Sequence, residues 1–270
     1  MNIYDGGFSN MKKIIALSLA ALLAFSIVGC GKEDATDLGD NEELVVEADV
    51  QVYEDFEYSV NEEGNYEIVG YTYNGEAAKA VVIPDAIEGR PVTGIGNDAF
   101  KAVATVNAVT IPDSIKYIGN FAFYGCTGLT EVVLPDSVTA IGTGAFWGCT
   151  EMTKITISNH LTAIGDYAFW NCTKLAAVTL PESLKTIGEG AFWGCEALTE
   201  ISVPKFVEEI GRAAFMYSKN LAKVTFANAT VKLGEKAFDS CAATLSFVGA
   251  SESTAAEYAA KEGVTFTVAQ

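Results

Sequence analysis

Apolar positions recur along this chain at two intervals at once. Strings such as Leu129-x-x-Val132-x-Leu134, Leu175-x-x-Val178-x-Leu180 and Leu198-x-x-Ile201-x-Val203 alternate apolar and polar residues. That alternation predicts short half-buried β-strands. The strings return every 23 residues, and so do their surroundings. Gly96, Gly119, Gly142, Gly165, Gly188, Gly211 and Gly234 keep the interval, as do the Ala-Phe pairs from Ala99-Phe100 to Ala237-Phe238. Seven copies in register predict a solenoid, in which each turn buries its apolar face against the next. The strands then stack in parallel about 4.8 Å apart. Pro112, Pro135, Pro181 and Pro204 close their strands, because proline cannot donate to a ladder. The glycine of each Ile-Gly marks a tight turn, and each phenylalanine should point inward onto its counterparts above and below.

The flanks depart from the repeat, as the ends of a solenoid must. Phe56, Tyr58 and Val60 alternate, residues 61–65 turn, and Tyr66 and Ile68 alternate on the return, which predicts a hairpin cap. The first repeat is longer than the others: Pro84 to Gly96 spans 12 steps, against seven from Pro112 to Gly119. After the last repeat, Thr254-x-x-Glu257 has the form of a capping box, Gly263 stops the helix, and Val264, Phe266 and Val268 alternate as a final strand. The caps hide sheet edges that would otherwise recruit other chains.

The motif I-G-x-x-A-F-x-x-C-x-x-L-x-x-V-x-L-P, over about residues 80–249, resembles the BspA-like (Treponema-type) leucine-rich repeat. The resemblance implies a β-rich solenoid, a right-handed leucine-rich-repeat coil of about seven 23-residue repeats with a β-hairpin cap and a helix/strand cap. It also implies an extracellular or surface-anchored protein without catalysis, some of whose relatives are adhesins.

Outside the repeats, Lys12 and Lys13 precede an apolar run, Ile14 to Val28, followed by Gly29 and Cys30. This is the layout of an export signal, and the run is short of the ~20 residues a membrane-spanning helix needs. Ile27-Val28-Gly29-Cys30 resembles a bacterial lipobox, which makes Cys30 the expected lipidation site, and two acyl chains give stable anchoring. Residues 1–29 are therefore read as a signal peptide, with Met11 the expected true start, ahead of an acidic tether over 30–50. The hairpin cap is assigned to 51–83, the solenoid to 84–249 and the last cap to 250–270. A net charge of -18 excludes nucleic acid and anionic lipid as electrostatic partners, and leaves the lipid anchor as the expected membrane contact.

Candidate chemistry is read by column. Cys126, Cys149, Cys172, Cys195 and Cys241 share a slot with Val103 and Ser218. A slot that accepts valine and serine is a small buried position with free thiols, not a disulfide or zinc framework. The residues after each Phe include Tyr124, Trp147, Trp170, Trp193 and Met216, among them every tryptophan of the chain. They form either a packing column or an exposed aromatic ridge for a partner, and flat ring faces would also suit sugars. On the exposed face of the main sheet, taken as concave by the resemblance, stand Glu131, Lys154, Thr156, Thr179, Glu200, Lys223 and Thr225. This column is a second candidate contact surface, or a plain solvated one. His160, the single histidine, falls in a turn, and no recurrent His-carboxylate cluster or phosphate loop appears. No enzyme, cofactor or metal is expected. The expected function is a lipid-anchored adhesion module on the bacterial surface for an extracellular protein or glycan: host matrix, mucin or another bacterium. The alternative is a structural envelope protein without a specific ligand.

Overall fold

Each recurring string folds as one turn of a coil, and backbone hydrogen bonds tie the turn to its neighbours on several sides. The computed structural model describes residues 51–72 and 78–269, which belong to the compact unit Glu47–Gln270. Cys30 and the rest of the signal and tether assignments lie outside the described residues.

Strands β1 (Gln51–Tyr53), β2 (Phe56–Val60) and β3 (Tyr66–Tyr71) form an antiparallel meander. The expected hairpin is β2–β3, and its turn is held by Asn61, whose Oδ1 accepts from the N–H groups of Glu63 and Asn65 at 3.1 and 3.0 Å. Strand β4 (Lys79–Val82) begins the front ladder by pairing with β7 (Val106–Thr110). The extra residues of the first repeat fold between them as a small antiparallel pair, β5 (Ala86–Ile87) and β6 (Arg90–Ile95), turning through Glu88 and Gly89.

From β7 onward a front strand alternates with a two-residue back strand. The back strands are β8 (Tyr117–Ile118), β10 (Ala140–Ile141), β12 (Ala163–Ile164), β14 (Thr186–Ile187), β16 (Glu209–Ile210) and β18 (Lys232–Leu233). The front strands are β9 (Glu131–Val133), β11 (Lys154–Thr156), β13 (Ala177–Thr179), β15 (Glu200–Val203) and β17 (Lys223–Phe226). Strand β19 (Ser246–Gly249), helix α1 (Thr254–Glu262) and strand β20 (Thr265–Val268) follow. The back ladder is continuous from β1 through β3, β6 and β8 to β18. The front ladder is not: one sheet runs β4–β7–β9–β11–β13 and a second runs β15–β17–β19–β20.

A third line of hydrogen bonds, which alternation alone did not foretell, joins the turns through the Ala-Phe segments. The N–H of Phe100 donates to the Ala122 carbonyl at 2.7 Å, Phe123 to Ala145 at 2.7 Å, Phe146 to Ala168 at 2.8 Å, and so on to Phe215 and Ala237 at 2.7 Å. These segments make their corners through two left-handed residues per turn, for example Gly144 and Gly148, or Tyr167 and Asn171. The glycine after each isoleucine serves a different need. A Cβ on Gly165 would stand 2.7 Å from the Gly142 carbonyl oxygen, so a side chain would force the turns apart.

Inside, one residue type stacks on itself. Phe100, Phe123, Phe146, Phe169, Phe192 and Phe215 are fully buried. Their rings continue to Phe238 with successive centroids 4.9–5.5 Å apart and planes within 14°. The spacing is that of the strands, so ring stacking and the backbone ladder reinforce each other.

At the C-terminal cap the structure corrects the expected capping box. Ser253, not Thr254, is the N-cap: its side chain accepts from the Ala256 N–H at 3.2 Å. Thr254 is the first helical residue, and its hydroxyl donates to the Val231 carbonyl at 2.6 Å, pinning the helix to the preceding turn. Gly263 ends the helix in the left-handed conformation, as its position indicated.

Removing one ring from the stack leaves a cavity with packed neighbours on both sides. Phe169→Ala is expected to lower stability by about 3–5 kcal/mol, measured by urea unfolding of the Glu47–Gln270 unit.

Candidate functional site

The thiol column has a hydrogen-bonding role that explains its composition. Each Sγ points at the carbonyl of the phenylalanine one turn back: Cys126 to Phe100 at 3.0 Å, Cys149 to Phe123 and Cys172 to Phe146 at 3.2 Å, Cys195 to Phe169 at 3.3 Å, and Cys241 to Phe215 at 3.2 Å. Ser218 fills the same slot and donates from its hydroxyl to the Phe192 carbonyl at 3.0 Å. Cysteine and serine interchange in this slot because each is small and can donate to that carbonyl. All five thiols are free, and the first four are fully buried. Burial raises every one of them, pushing Cys126, Cys172 and Cys241 up to about 12 and Cys149 and Cys195 well above the ordinary thiol value. Thiols held protonated in this way are poor nucleophiles and poor metal ligands.

The tryptophan column forms the stack its spacing implied, with a consequence for binding. Trp147 and Trp170 lie 4.5 Å apart with planes 5° from parallel, and Trp170 and Trp193 lie 4.9 Å apart at 17°. All three, with Tyr124 and Met216, are half-buried. The outer face of Trp147 meets Tyr124 edge-on at 5.4 Å, and Trp193 meets Tyr217 at 5.8 Å. The faces of Trp147, Trp170 and Trp193 are therefore turned largely toward one another. That arrangement leaves less open ring face for a flat ligand than three separate indoles would.

Three aromatic neighbours of this ridge were not singled out from sequence: Phe121, Tyr167 and Tyr217. All three occupy left-handed backbone positions, where bulky residues are strained. Phe121 lies over Gly144 and Tyr167 over Gly190: a Cβ on either glycine would come within 2.5–2.6 Å of the ring above. The large-small alternation of residues 121, 144, 167 and 190 was the available signal. Tyr167 also donates from its hydroxyl to Glu189 Oε1 at 2.6 Å, which with burial raises its pKa to about 12.

The front sheet carries the second candidate set. Glu131, Lys154, Thr156, Thr179, Glu200 and Lys223 are exposed and Thr225 is half-buried. Along the solenoid, Glu131 faces Lys154, Lys154 faces Ala177, and Glu200 faces Lys223 in register. The ion pairs between successive turns form elsewhere, at Glu151–Lys174, Glu189–Arg212, Glu196–Lys219 and Glu209–Lys232. Among the described residues the front-face charges form none of these ion pairs, and they stand as opposite-charge neighbours, Glu131 beside Lys154 and Glu200 beside Lys223. Val133 is 60% exposed among them, and Phe206 is 57% exposed on the turn that follows β15. Phe206 was overlooked in sequence, where Pro204-Lys205-Phe206 breaks the Pro-Asp-Ser pattern of Pro135 to Ser137.

His160 lies exposed in a turn, as expected, with Nδ1 2.8 Å from the Asp136 carbonyl oxygen. The Asp136 carboxylate accepts from the Asn159 backbone N–H at 3.0 Å and from its side chain at 3.1 Å, which lowers its pKa. Histidine and carboxylate thus serve the turn. Among the described residues no cluster of three or more His, Cys, Asp or Glu side chains could hold a metal ion.

Stacked short strands, an inward phenylalanine ladder and a leucine column define a leucine-rich-repeat solenoid. The chain belongs to the BspA-type leucine-rich-repeat family, whose model matches six copies over residues 93–222 and 189–259. It is similar to the crystal structure of a T. pallidum leucine-rich-repeat protein, with 28% identity and a TM-score of 0.67, over 80% of this chain and 97% of that one. It is also similar to a leucine-rich cell surface protein of Faecalibacterium prausnitzii, with 30% identity and a TM-score of 0.51. That match covers 66% of this chain and 55% of the other. No curated protein matches the chain. Solenoids of this kind are binding scaffolds whose repeats present extended surfaces.

The buried thiols make stability depend on pH. An unfolded thiol ionises near 9 and the folded Cys172 thiol near 12, so the unfolded state loses its proton first. The contribution of Cys172 is complete below about pH 9 and declines by about 1.4 kcal/mol per pH unit toward 12. Cys172→Ser retains the donor and is expected to lose that decline, measured as urea unfolding of both proteins from pH 8 to 11.

Proposed function

We propose that the chain is exported, anchored through lipid on Cys30, and displays its solenoid as an adhesion module that binds an extracellular protein through the front sheet. The observation that carries this reading is the contrast between the two candidate surfaces. The tryptophan faces are covered by one another, whereas the front sheet exposes Glu131, Lys154, Glu200 and Lys223 in one column without ion pairs between turns to occupy them. Exposed Val133 adds apolar contact in their midst. A rigid ladder holds these groups in place before contact, so little ordering entropy is lost on binding. The surface location described for the Faecalibacterium protein supports export, and the apolar run ending at Gly29-Cys30 supports the anchor. A glycan ligand is the weaker form of the proposal, because the front sheet presents no aromatic platform. The envelope-structural alternative has no observation in its favour beyond the acidic surface.

Two experiments test the proposal. Cys30→Ala should move the protein from the membrane fraction to the medium, and retention with membranes would remove the lipid anchor. The Glu47–Gln270 unit should bind matrix-protein or mucin arrays as wild type and as Trp147→Ala/Trp170→Ala/Trp193→Ala. Binding should be lost in Glu131→Ala/Lys154→Ala/Glu200→Ala/Lys223→Ala. Loss in the tryptophan variant alone would transfer the site to the aromatic ridge.

A further inference from the structure

The C-terminal cap closes the core but leaves one ladder edge open. Strand β20 pairs with β19 on one side and ends the front sheet β15–β17–β19–β20. The Ala269 N–H donates to the Gly249 carbonyl at 2.8 Å. Main-chain groups alternate sides along a strand, so those of Phe266 and Val268 point away from β19. Val264 points the same way, and its N–H is taken by the Ala259 carbonyl at 2.9 Å, at the end of α1. The Val264 carbonyl and the N–H and carbonyl groups of Phe266 and Val268 meet no main-chain partner among the described residues.

The side chains at this edge are unfinished too. Phe266 continues the inward column of Val224 and Phe247. Phe247 is fully buried, whereas Phe266 is half-buried and Val268, on the same face, is 55% exposed. Edge strands of monomers are commonly blunted by charge, proline or a bulge. The outer strand β4 begins with Lys79, and β1 leads into Glu54 and Asp55. Strand β20 has none of these devices: residues 264–269 include no charged side chain and no proline, and the pairing with β19 runs without a register shift. The stretch Val264-Thr265-Phe266-Thr267-Val268 also reads the same in both directions.

We propose that β20 pairs antiparallel with β20 of a second copy of the chain, across a two-fold axis at Phe266. The palindrome selects both partner and direction, because only an antiparallel copy sets Val264 against Val268, Thr265 against Thr267 and Phe266 against itself. The open main-chain groups agree with that register. Residues whose N–H and carbonyl both point outward form the hydrogen-bonded pairs of an antiparallel ladder, so the two Phe266 residues exchange N–H···O bonds. Each Val268 N–H then donates to the Val264 carbonyl of the other copy, and the occupied Val264 N–H is not needed. The Phe266 and valine side chains become cross-strand neighbours and cover one another. Charge complements the register as well. Helix α1 packs against β19 and β20 and shows Glu257 and Lys261 to solvent. In an antiparallel copy their order is reversed, so glutamate is met by lysine rather than by its like. Two copies of an acidic chain repel one another, and this uncharged edge is where they can meet. The front sheets of the two copies then join into one, with both front faces on the same side, so a ligand with repeated sites meets both at once.

Sedimentation velocity of the Glu47–Gln270 unit over a concentration series tests the proposal without any ligand. The expected result is a monomer–dimer equilibrium that goes no further, since a two-fold contact closes on itself, and that tightens with added salt as the net charge is screened. Val268→Pro removes an outward N–H and none that faces β19, a place where an edge strand tolerates proline. It should keep the unfolding midpoint in urea and weaken the dimer by about tenfold or more. Thr265→Glu and Thr267→Lys separate the antiparallel register from others. Each alone should weaken the dimer, and the two together, which set Glu against Lys across the axis, should dimerise up to about fivefold more tightly than either. A monomer at every concentration, oligomers that grow without limit, or a dimer that survives Val268→Pro would overturn the proposal. A double variant no tighter than the single ones would overturn the antiparallel register, and the proposal with it.

Discussion

The whole solenoid depends on each turn finding a copy of itself one strand spacing away. A backbone ladder at about 4.8 Å brings residue i against residue i+23, so the interior cannot vary independently from turn to turn. Flat rings solve this constraint well. Stacked phenylalanines repeat at 4.9–5.5 Å, close enough to the strand spacing that neither the rings nor the hydrogen bonds are strained to accommodate the other. The thiol slot obeys the same rule, with each Sγ satisfying a carbonyl that belongs to the turn before.

That constraint is also why so much of the fold was legible. An identical slot in every turn leaves an identical letter every 23 residues, and the Phe, Ala, Gly and Leu columns could be placed inside without a structure. The hairpin at Phe56 to Ile68 and the stop at Gly263 were legible for local reasons, through alternation and a left-handed glycine. What escaped was set by single positions or by three-dimensional separation. Thr254 and Ser253 are both good caps, and only the reach of Thr254 to Val231 decides between them. Phe121 and Tyr167 sit in the left-handed region against ordinary preference, held by space that Gly144 and Gly190 leave open. The parting of β13 from β15 changes no repeat interval, so periodicity carries no trace of it.

The candidate surfaces divide along the same line. Sequence located both columns but could not tell a ring face from a ring edge. The stacked indoles extend the logic of the core outward, one ring per turn at 4.5 and 4.9 Å. The front sheet does the reverse. Its inward residues hold the ladder, and its outward ones include Glu131, Lys154, Glu200 and Lys223, set in register as opposite-charge neighbours and exposed to solvent. The back ladder stays continuous where the front sheet is interrupted between β13 and β15, so the stack persists across that step.

Amide hydrogen exchange on the Glu47–Gln270 unit tests that arrangement most directly. The account predicts strong protection at Thr153 and Ala222, whose N–H groups bond to the preceding turn, and at Gly188 and Gly211 on the back ladder. Thr199, which lacks the corresponding bond, should exchange much faster than Thr153 and Ala222. Equal protection at Thr153, Thr199 and Ala222 would mean an unbroken front ladder and would contradict the account.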